Sequence, residues 1–235
     1  MSKLTPYHAS TYENESITHR EITNNLHHLI SHFDLDIAII SQLLIQNEAI
    51  ISGSSILKVL TVQDMSLNIS SDLDVYVKTG QYDDIACYLE KVGYQNFSYK
   101  TREQAHPYFR IKHITAIKKY FMPETNKFID IIISDDPIGC IKHYDFQFLL
   151  NWYDGTSIKL VNPESLIKKV SYVNTLTEKF SESRKNKYTR RGYTIIDNKE
   201  RRFDFQVYNW NSPPSIPITI RKKNLCQLFC NLFKV

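Results

Sequence analysis

The stretch "DLDVYVK", residues 72–78, is the starting point for the fold expected of this chain. Its acidic and apolar residues alternate with a period of two, which is typical of a β-strand. On a strand the Asp72 and Asp74 carboxylates project from one face, while Leu73 and Val75 project from the other. Neighbouring carboxylates repel unless a cation lies between them. A solvated strand edge often carries such a pair too, so the stretch needs support from elsewhere.

A glycine turn lies upstream, in "ISGSSILKVL", residues 51–60. The chain has only six glycines, and Gly53 stands directly before a run with helical periodicity. Ser54 or Ser55 is predicted to be the N-cap of that helix. Glycine lets the backbone approach a ligand, and the free N–H groups of a first helical turn favour phosphate. Gly53, Ser54 and Ser55 are therefore candidate phosphate-binding residues, although these three residues alone favour an ordinary capped turn.

A third carboxylate interrupts an apolar strand, "KFIDIIIS", residues 127–134. A lone Asp130 in such a run is costly unless it is paired with a charge or bound to a metal. If this strand neighbours residues 72–78, then Asp72, Asp74 and Asp130 converge. Three converging carboxylates can hold two Mg²⁺ or Mn²⁺ ions, the arrangement used for phosphoryl and nucleotidyl transfer.

The remaining periodicities predict an α/β (α+β) chain with a short mixed sheet flanked by helices and a C-terminal helical and irregular extension. Its 235 residues can bury one sizeable core or two modest ones. The expected division is a flexible tail over 1–14, a core with N-terminal helices over 15–161, and a C-terminal region over 162–235. Predicted helices cover 15–31, 36–51, 81–93 and 162–192, and predicted strands cover 108–122 and parts of 152–161. The pair Asp34 and Asp36 is expected to cap one helix, and Asp135 or Asp136 another.

Composition and charge restrict the function only broadly. The net charge of +4 and pI near 8.7 are compatible with a polyanionic partner. No window approaches 18 consecutive apolar residues, and the N-terminus lacks the apolar run of a secretory signal, so a chain without a transmembrane segment and a cytoplasmic location are expected. The segment 221–235 has an apolar face, which fits packing onto the domain or contact with a membrane surface.

A basic run between residues 184 and 202 is interleaved with Tyr188 and Tyr193. Basic residues with aromatics can follow a nucleic-acid backbone and stack on bases. A solvated helix face explains the run equally well. A third possibility is that Lys187 or Arg190 reaches the triphosphate of a nucleotide.

The ordered combination of glycine-serine turn, Asp-x-Asp strand and later strand Asp resembles the signature of the DNA polymerase beta-like nucleotidyltransferase superfamily. The resemblance covers about residues 38–134. It implies that Gly53 and Ser54 bind the β- and γ-phosphates of a nucleoside triphosphate. It also implies that Asp72 and Asp74 ligate two magnesium ions, and that Asp130 ligates one of them and helps to activate the acceptor hydroxyl.

One feature departs from the superfamily pattern. Between Ser54 and Asp72 lie 17 residues, more than the superfamily usually has, and residues 61–69 are expected to form a loop or to lengthen the helix. The chain also looks like uncharacterised nucleotidyltransferase-like proteins of large DNA viruses and fungi, which would place it in host cytoplasm or a virion. Abundant Ile, Lys, Asn and Tyr hint at an AT-rich genome.

The expected function is a metal-dependent nucleotidyltransferase that transfers a nucleoside monophosphate to a hydroxyl of RNA, protein or a small molecule. Two alternatives stay open. The chain could be an inactive nucleotide- or RNA-binding module, or a structural or interaction protein that uses the same fold. The residues give no indication of the preferred nucleotide or the oligomeric state.

Overall fold

The structure, a computed structural model, describes residues 5–6, 19–61, 72–101, 113–174, 182–197, 205 and 207–210. The predicted insert over 61–69, apart from Thr61, and the segment 221–235 lie outside these ranges. The helices are α1 His19–His32, α2 Ile37–Gln46, α3 Ser54–Thr61, α4 Asp83–Lys91, α5 Pro137–Lys142, α6 Pro163–Lys168 and α7 Glu182–Thr189, with a 3-10 helix at Gln147–Leu149. The strands are β1 Thr5–Pro6, β2 Ile50–Ser52, β3 Asp72–Lys78, β4 Gln95–Thr101, β5 Ile114–Met122, β6 Lys127–Ser134, β7 Asn151–Tyr153, β8 Ile158–Leu160, β9 Val170–Tyr172, β10 Thr194–Ile196 and β11 Tyr208–Trp210.

Nine strands form one mixed sheet in the order β1-β11-β8-β7-β2-β3-β6-β5-β4. β3 pairs with β6 in parallel, as β1 does with β11, and the other neighbours are antiparallel. The expectation of a mixed α/β chain is confirmed. The sheet is wider than the short one predicted, because the β7–β8 hairpin and β11 extend it beyond β2. β11 belongs to the predicted C-terminal region, so this sheet includes residues on both sides of position 161.

The β3–β6 pair lies near the middle of the sheet. Seven consecutive residues of each strand are in register, from Asp72 opposite Phe128 to Lys78 opposite Ser134. A parallel pair needs a crossover connection, which α4, β4 and β5 provide. The turn between β5 and β6 falls where the "PETN" residues predict it, with Asn126 at φ 53°.

Two predicted helix caps are confirmed. The Asp36 carboxylate accepts hydrogen bonds from the N–H groups of Ala38 and Ile39 at the start of α2, and Asp136 accepts one from Gly139 in α5. Both carboxylates are therefore structural, as expected. In the described ranges no single helix has the length and hydropathy of a membrane span; α1 and α2 pass that test only as a pair bent by 92°.

The helix predicted over residues 36–51 is too long. α2 ends at Gln46, the chain turns through Glu48 at φ 47°, and β2 begins at Ile50. The β-branched Ile50 and Ile51 pair with Tyr76 and Val75 of β3. Tertiary pairing with the sheet therefore overrides the continuous apolar pattern that suggested helix.

The helix predicted over 162–192 is also wrong as one element. α6 begins after the Asn162 cap as expected, but it ends at Lys169, whose φ of 50° is left-handed. The chain then forms β9, which pairs in parallel with β10. α7 is therefore a separate helix, and its position is not fixed by the direction of α6.

Candidate functional site

The structure brings the predicted carboxylates together on β3 and β6. Asp74 lies directly opposite Asp130 in the parallel register, and Asp72 is two residues earlier on β3, opposite Phe128. Adjacent strands are about 4.8 Å apart, and register partners project from the same face of the sheet. Asp72, Asp74 and Asp130 therefore share one face at the open end of the strand pair.

The electrostatics of the three carboxylates indicate mutual repulsion. Burial raises the pKa of Asp74 to about 7, with the nearby charges of Asp130 and Asp72 adding to the increase and Lys119 and Lys187 opposing it. Burial also raises the pKa of Asp130, which Asp72 raises further. A cation at this position would relieve both effects.

Lys119 is a site residue that sequence reasoning missed. It lies opposite Asp130 in the antiparallel β5–β6 register, and its Nζ is 3.2 Å from Asp130 Oδ1. The lysine opposes the increase in the pKa of Asp130. Apart from this ion pair, Oδ1 is a buried acceptor without a hydrogen bond among the described residues. The only sequence signal was the polar pair in "AIKKYF", which fixes neither face nor register.

The Gly53 turn lies against Asp74. β2 pairs with β3 so that Ser52 is opposite Asp74, and Gly53 follows with φ +83°. A Cβ atom at Gly53 would lie only 2.6 Å from Asp74 Oδ2. Both the left-handed backbone and the close approach therefore require glycine.

The two serines differ from the prediction in one respect. α3 already begins at Ser54, so neither serine is the N-cap, and Gly53 precedes the helix with its carbonyl accepting from Leu57 at 3.2 Å. The buried Ser55 hydroxyl donates to the Asp72 carbonyl at 3.0 Å and ties α3 to the start of β3. Ser54 is half-buried in the first turn.

A cationic cluster on α3 and around the end of α7 lies within electrostatic reach of the carboxylates. It consists of Lys58, Lys187 and Arg191, of which the two lysines interact with Asp72 and the arginine interacts with the two lysines. Burial lowers the pKa of Lys187, and Arg191 lowers it further, whereas Asp72 and Asp74 raise it. The pKa of Lys58 is lowered by burial and then by Arg191 and Lys187, and Asp72 opposes this. The basic run thus brings Lys187 into the electrostatic field of the site.

Arg184, one turn before Lys187 on α7, anchors that helix to the domain. Its guanidinium lies 3.1 Å from the buried carboxylate of Asp145. Tyr188, which follows Lys187, is buried against Phe146 and Phe148. Lys185 lies 3.9 Å from Glu182 on the same helix, and Lys199, Arg201 and Arg202 lie outside the described ranges.

Whether a metal fits depends on the donors present. No group of three or more His, Cys, Asp or Glu side chains in the described ranges is already disposed to hold a metal ion. The chemistry of the donors nevertheless fits a hard cation, because all three are carboxylates and burial raises the pKa of Asp74. The buried Asp130 Oδ1 has the Lys119 ion pair but no hydrogen bond among the described residues. Asp72, Asp74 and Asp130 are the residues that would hold it.

Comparison with known proteins assigns no family to the chain: no family model matches the sequence, and neither does any curated protein.

Proposed function

We propose that the protein is a metal-dependent nucleotidyltransferase, which transfers a nucleoside monophosphate from a nucleoside triphosphate to a hydroxyl acceptor and releases pyrophosphate. The observation that carries the proposal is the register of Asp74 opposite Asp130, with Gly53 held against Asp74. Acidic side chains on neighbouring strands, beside a turn that can bind phosphate, favour nucleotidyl transfer. They favour it over the two structural explanations, an ordinary capped turn and a solvated strand edge.

The residues divide the work of binding and transfer. The Gly53 backbone and the free N–H groups at the start of α3 bind the β- and γ-phosphates. Lys58, Lys187 and Arg191 offset the remaining phosphate charge. Mg²⁺ or Mn²⁺ held by Asp72, Asp74 and Asp130 would stabilise charge on the attacking and leaving oxygens.

The reaction is an in-line displacement at the α-phosphorus. The acceptor oxygen forms a bond to that phosphorus, the bond to the β-phosphate oxygen breaks, and its electron pair leaves with pyrophosphate. Asp130 receives the proton of the acceptor hydroxyl.

The proposal is tested by label transfer. The protein is incubated with each α-³²P-labelled triphosphate, Mg²⁺ or Mn²⁺, and total RNA or lysate. With the wild type we expect label in an acceptor. With Asp74→Asn or Asp130→Asn we expect the amount of transferred label to fall by about a hundredfold or more. Glu124→Gln, in the exposed turn between β5 and β6, is the matched control and should keep full transfer. No transfer by the wild type with any triphosphate and either metal would contradict the proposal.

A non-catalytic nucleotide-binding module is the second candidate. The Lys119–Asp130 ion pair favours it, because a lysine already neutralises the third carboxylate without a metal. This candidate predicts that a triphosphate binds to the Gly53 turn without any label transfer. Equilibrium dialysis with a labelled triphosphate, run beside the transfer assay, separates the two functions.

A further inference from the structure

Three phenylalanines continue the face of the sheet that carries the carboxylates. Phe128 precedes Asp130 by two residues on β6, so both side chains project from one face. Phe121 of β5 lies opposite Phe128 in the register, and their rings stack with centroids 4.7 Å apart. Phe97 of β4 reaches both rings, at 6.0 and 6.2 Å. Phe97, Phe121 and Phe128 are called the aromatic platform below.

The platform is open at the edge of the sheet. Phe97 is 64% exposed, which is the highest value for a large apolar side chain in the described part of the chain. β4 has an irregularity in its pairing between Asn96 and Ser98, which directs Phe97 onto the face of the platform. Bulges of this kind re-aim single side chains on edge strands. Exposed aromatic rings beside a reaction centre indicate a binding surface rather than core.

The surroundings of the platform suit one class of ligand. The Lys119 Nζ lies 5.3 Å from the centre of the Phe128 ring and 3.2 Å from Asp130 Oδ1, so a cation stands between platform and carboxylates. Further cations lie in the electrostatic field of the carboxylates, since Lys58 interacts with Asp72 and Lys187 with both Asp72 and Asp74. Aromatic rings flanked by cations bind single-stranded nucleic acid, because bases stack on the rings and phosphates pair with the cations.

We propose that the aromatic platform stacks the terminal unpaired bases of a single-stranded nucleic acid, whose terminal hydroxyl then lies beside Asp130. Phe128 and Asp130 are about 6–7 Å apart along the strand, so a base on the ring leaves its own sugar near the carboxylate. The orientation at the reaction centre rests on the proposed function, whereas the stacking itself does not. This inference narrows the hydroxyl acceptor of the proposed transfer from RNA, protein or a small molecule to a nucleic acid.

The test measures binding without nucleotide or metal. Fluorescence anisotropy is recorded with fluorescein-labelled oligo(rU), oligo(dT) and a duplex of mixed sequence. Single strands should bind more tightly than duplex, and Phe97→Ala should weaken their binding about fivefold or more. Phe97→Trp should keep it. Tyr99→Ala is the matched control, because Tyr99 is also exposed on β4 but lies opposite Lys118, whose Nζ is over its ring. A preference for oligo(rU) over oligo(dT) identifies RNA.

The outcomes separate this inference from the proposed function. If Phe97→Ala weakens single-strand binding while no triphosphate supports label transfer, the platform stands and the transfer reaction does not. If transfer occurs and Phe97→Ala changes neither binding nor acceptor use, the platform is overturned. It is equally overturned if single strands do not bind. A third contradicting result would be that Phe97→Ala abolishes self-association in analytical ultracentrifugation and leaves oligonucleotide binding unchanged, because the surface would then be a dimer interface.

Discussion

The two halves of the β3–β6 pair have opposite characters, although they belong to the same two strands. The first halves, residues 72–74 and 128–130, place Asp72 opposite Phe128 and Asp74 opposite Asp130. These four side chains are partly open to solvent on one face. The second halves, residues 75–77 and 131–134, are buried on both faces. α5 packs on this second half of both strands.

This difference shows how a stable sheet can hold repelling charges close together. Each buried aliphatic side chain in the second halves contributes roughly 1.5–3 kcal/mol. A one-residue slip would turn Asp74 or Asp130 to the opposite face, where Leu73 and Ile129 are fully buried. The apolar half supplies the stability of the pair, and the difference between the two faces of the acidic half keeps Asp74 opposite Asp130.

The largest effect is expected from moving a carboxylate into the apolar half. Ile131→Asp places an unpaired charge where the side chain is fully buried, one position beyond Asp130. We expect a loss of at least about 4 kcal/mol in the free energy of unfolding, or a chain that does not fold. Urea unfolding measures this, with Ile131→Val as the control, for which a loss of about 1 kcal/mol is expected. A tolerated aspartate would show that the two halves are not distinct.

The next effect concerns the turn that touches the acidic half. Gly53→Ala should cost about 3 kcal/mol, because the residue has φ +83° and its Cβ would meet Asp74 Oδ2. Gly80→Ala is a closely matched control, since Gly80 has φ +80° and nothing lies within 4 Å of its Cβ position. It should cost about 1–2 kcal/mol, the strain of the backbone alone. If both variants lose the same free energy of unfolding in thermal or urea denaturation, the contact between Gly53 and Asp74 does not contribute to the cost of Gly53→Ala.

A smaller effect is expected on the pH dependence of stability. The pKa of Asp74 is about 7 in the folded protein against 3.8 ordinarily, so the native state binds more protons than the unfolded state between these values. Stability therefore falls as pH rises from about 4 to about 7. With EDTA present, Asp74→Asn should be roughly 1–3 kcal/mol more stable than the wild type at pH 8 and should lose this advantage near pH 4. If Asp74→Asn and the wild type differ in stability by the same amount at both pH values, the raised pKa of Asp74 is refuted.

The smallest effect concerns the lysine beside the acidic half. Lys119→Met removes a cation that lowers the pKa of both Asp74 and Asp130, so both pKa values should rise further. Carboxyl ¹³C NMR titration follows each group directly. Lys118→Met is the control, since Lys118 projects from the other face with its Nζ 4.3 Å from the centre of the Tyr82 ring. It should leave both titrations where they are, and an equal shift with either variant would show that the ion pair is unimportant.

The sequence predicted the parts of the site that depend on local periodicity. The period-two pattern of residues 72–78 and the lone Asp130 in an apolar strand identified β3, β6 and their carboxylates. The glycine requirement at residue 53 was visible because glycine is rare in this chain. The strand predictions agree with the structure because the alternation of side chains along a strand is set locally.

The missed features depend on contacts between distant residues. Lys119 meets Asp130 only through the β5–β6 register. Lys187 was already a candidate from the basic run, but its place near Asp74 depends on the strand that interrupts the helix predicted over 162–192. Phe97 and Tyr99 alternate with polar residues and would share one face of a regular strand. The irregularity between Asn96 and Ser98, which depends on pairing with β5, places the Phe97 ring against Phe121 and Phe128 instead. Periodicity alone also could not end the second helix at Gln46, where pairing with β3 decides the outcome.

The most direct test of the central claim is isothermal titration of each nucleoside triphosphate into the wild type and into Asp74→Asn, with Mg²⁺ and with EDTA. The claim is that the acidic half of the β3–β6 pair binds a triphosphate together with a divalent cation. We expect one triphosphate or more to bind the wild type only with Mg²⁺, and Asp74→Asn to lose that binding while Glu124→Gln keeps it. Binding that is the same with EDTA, or the same in Asp74→Asn, would contradict the claim.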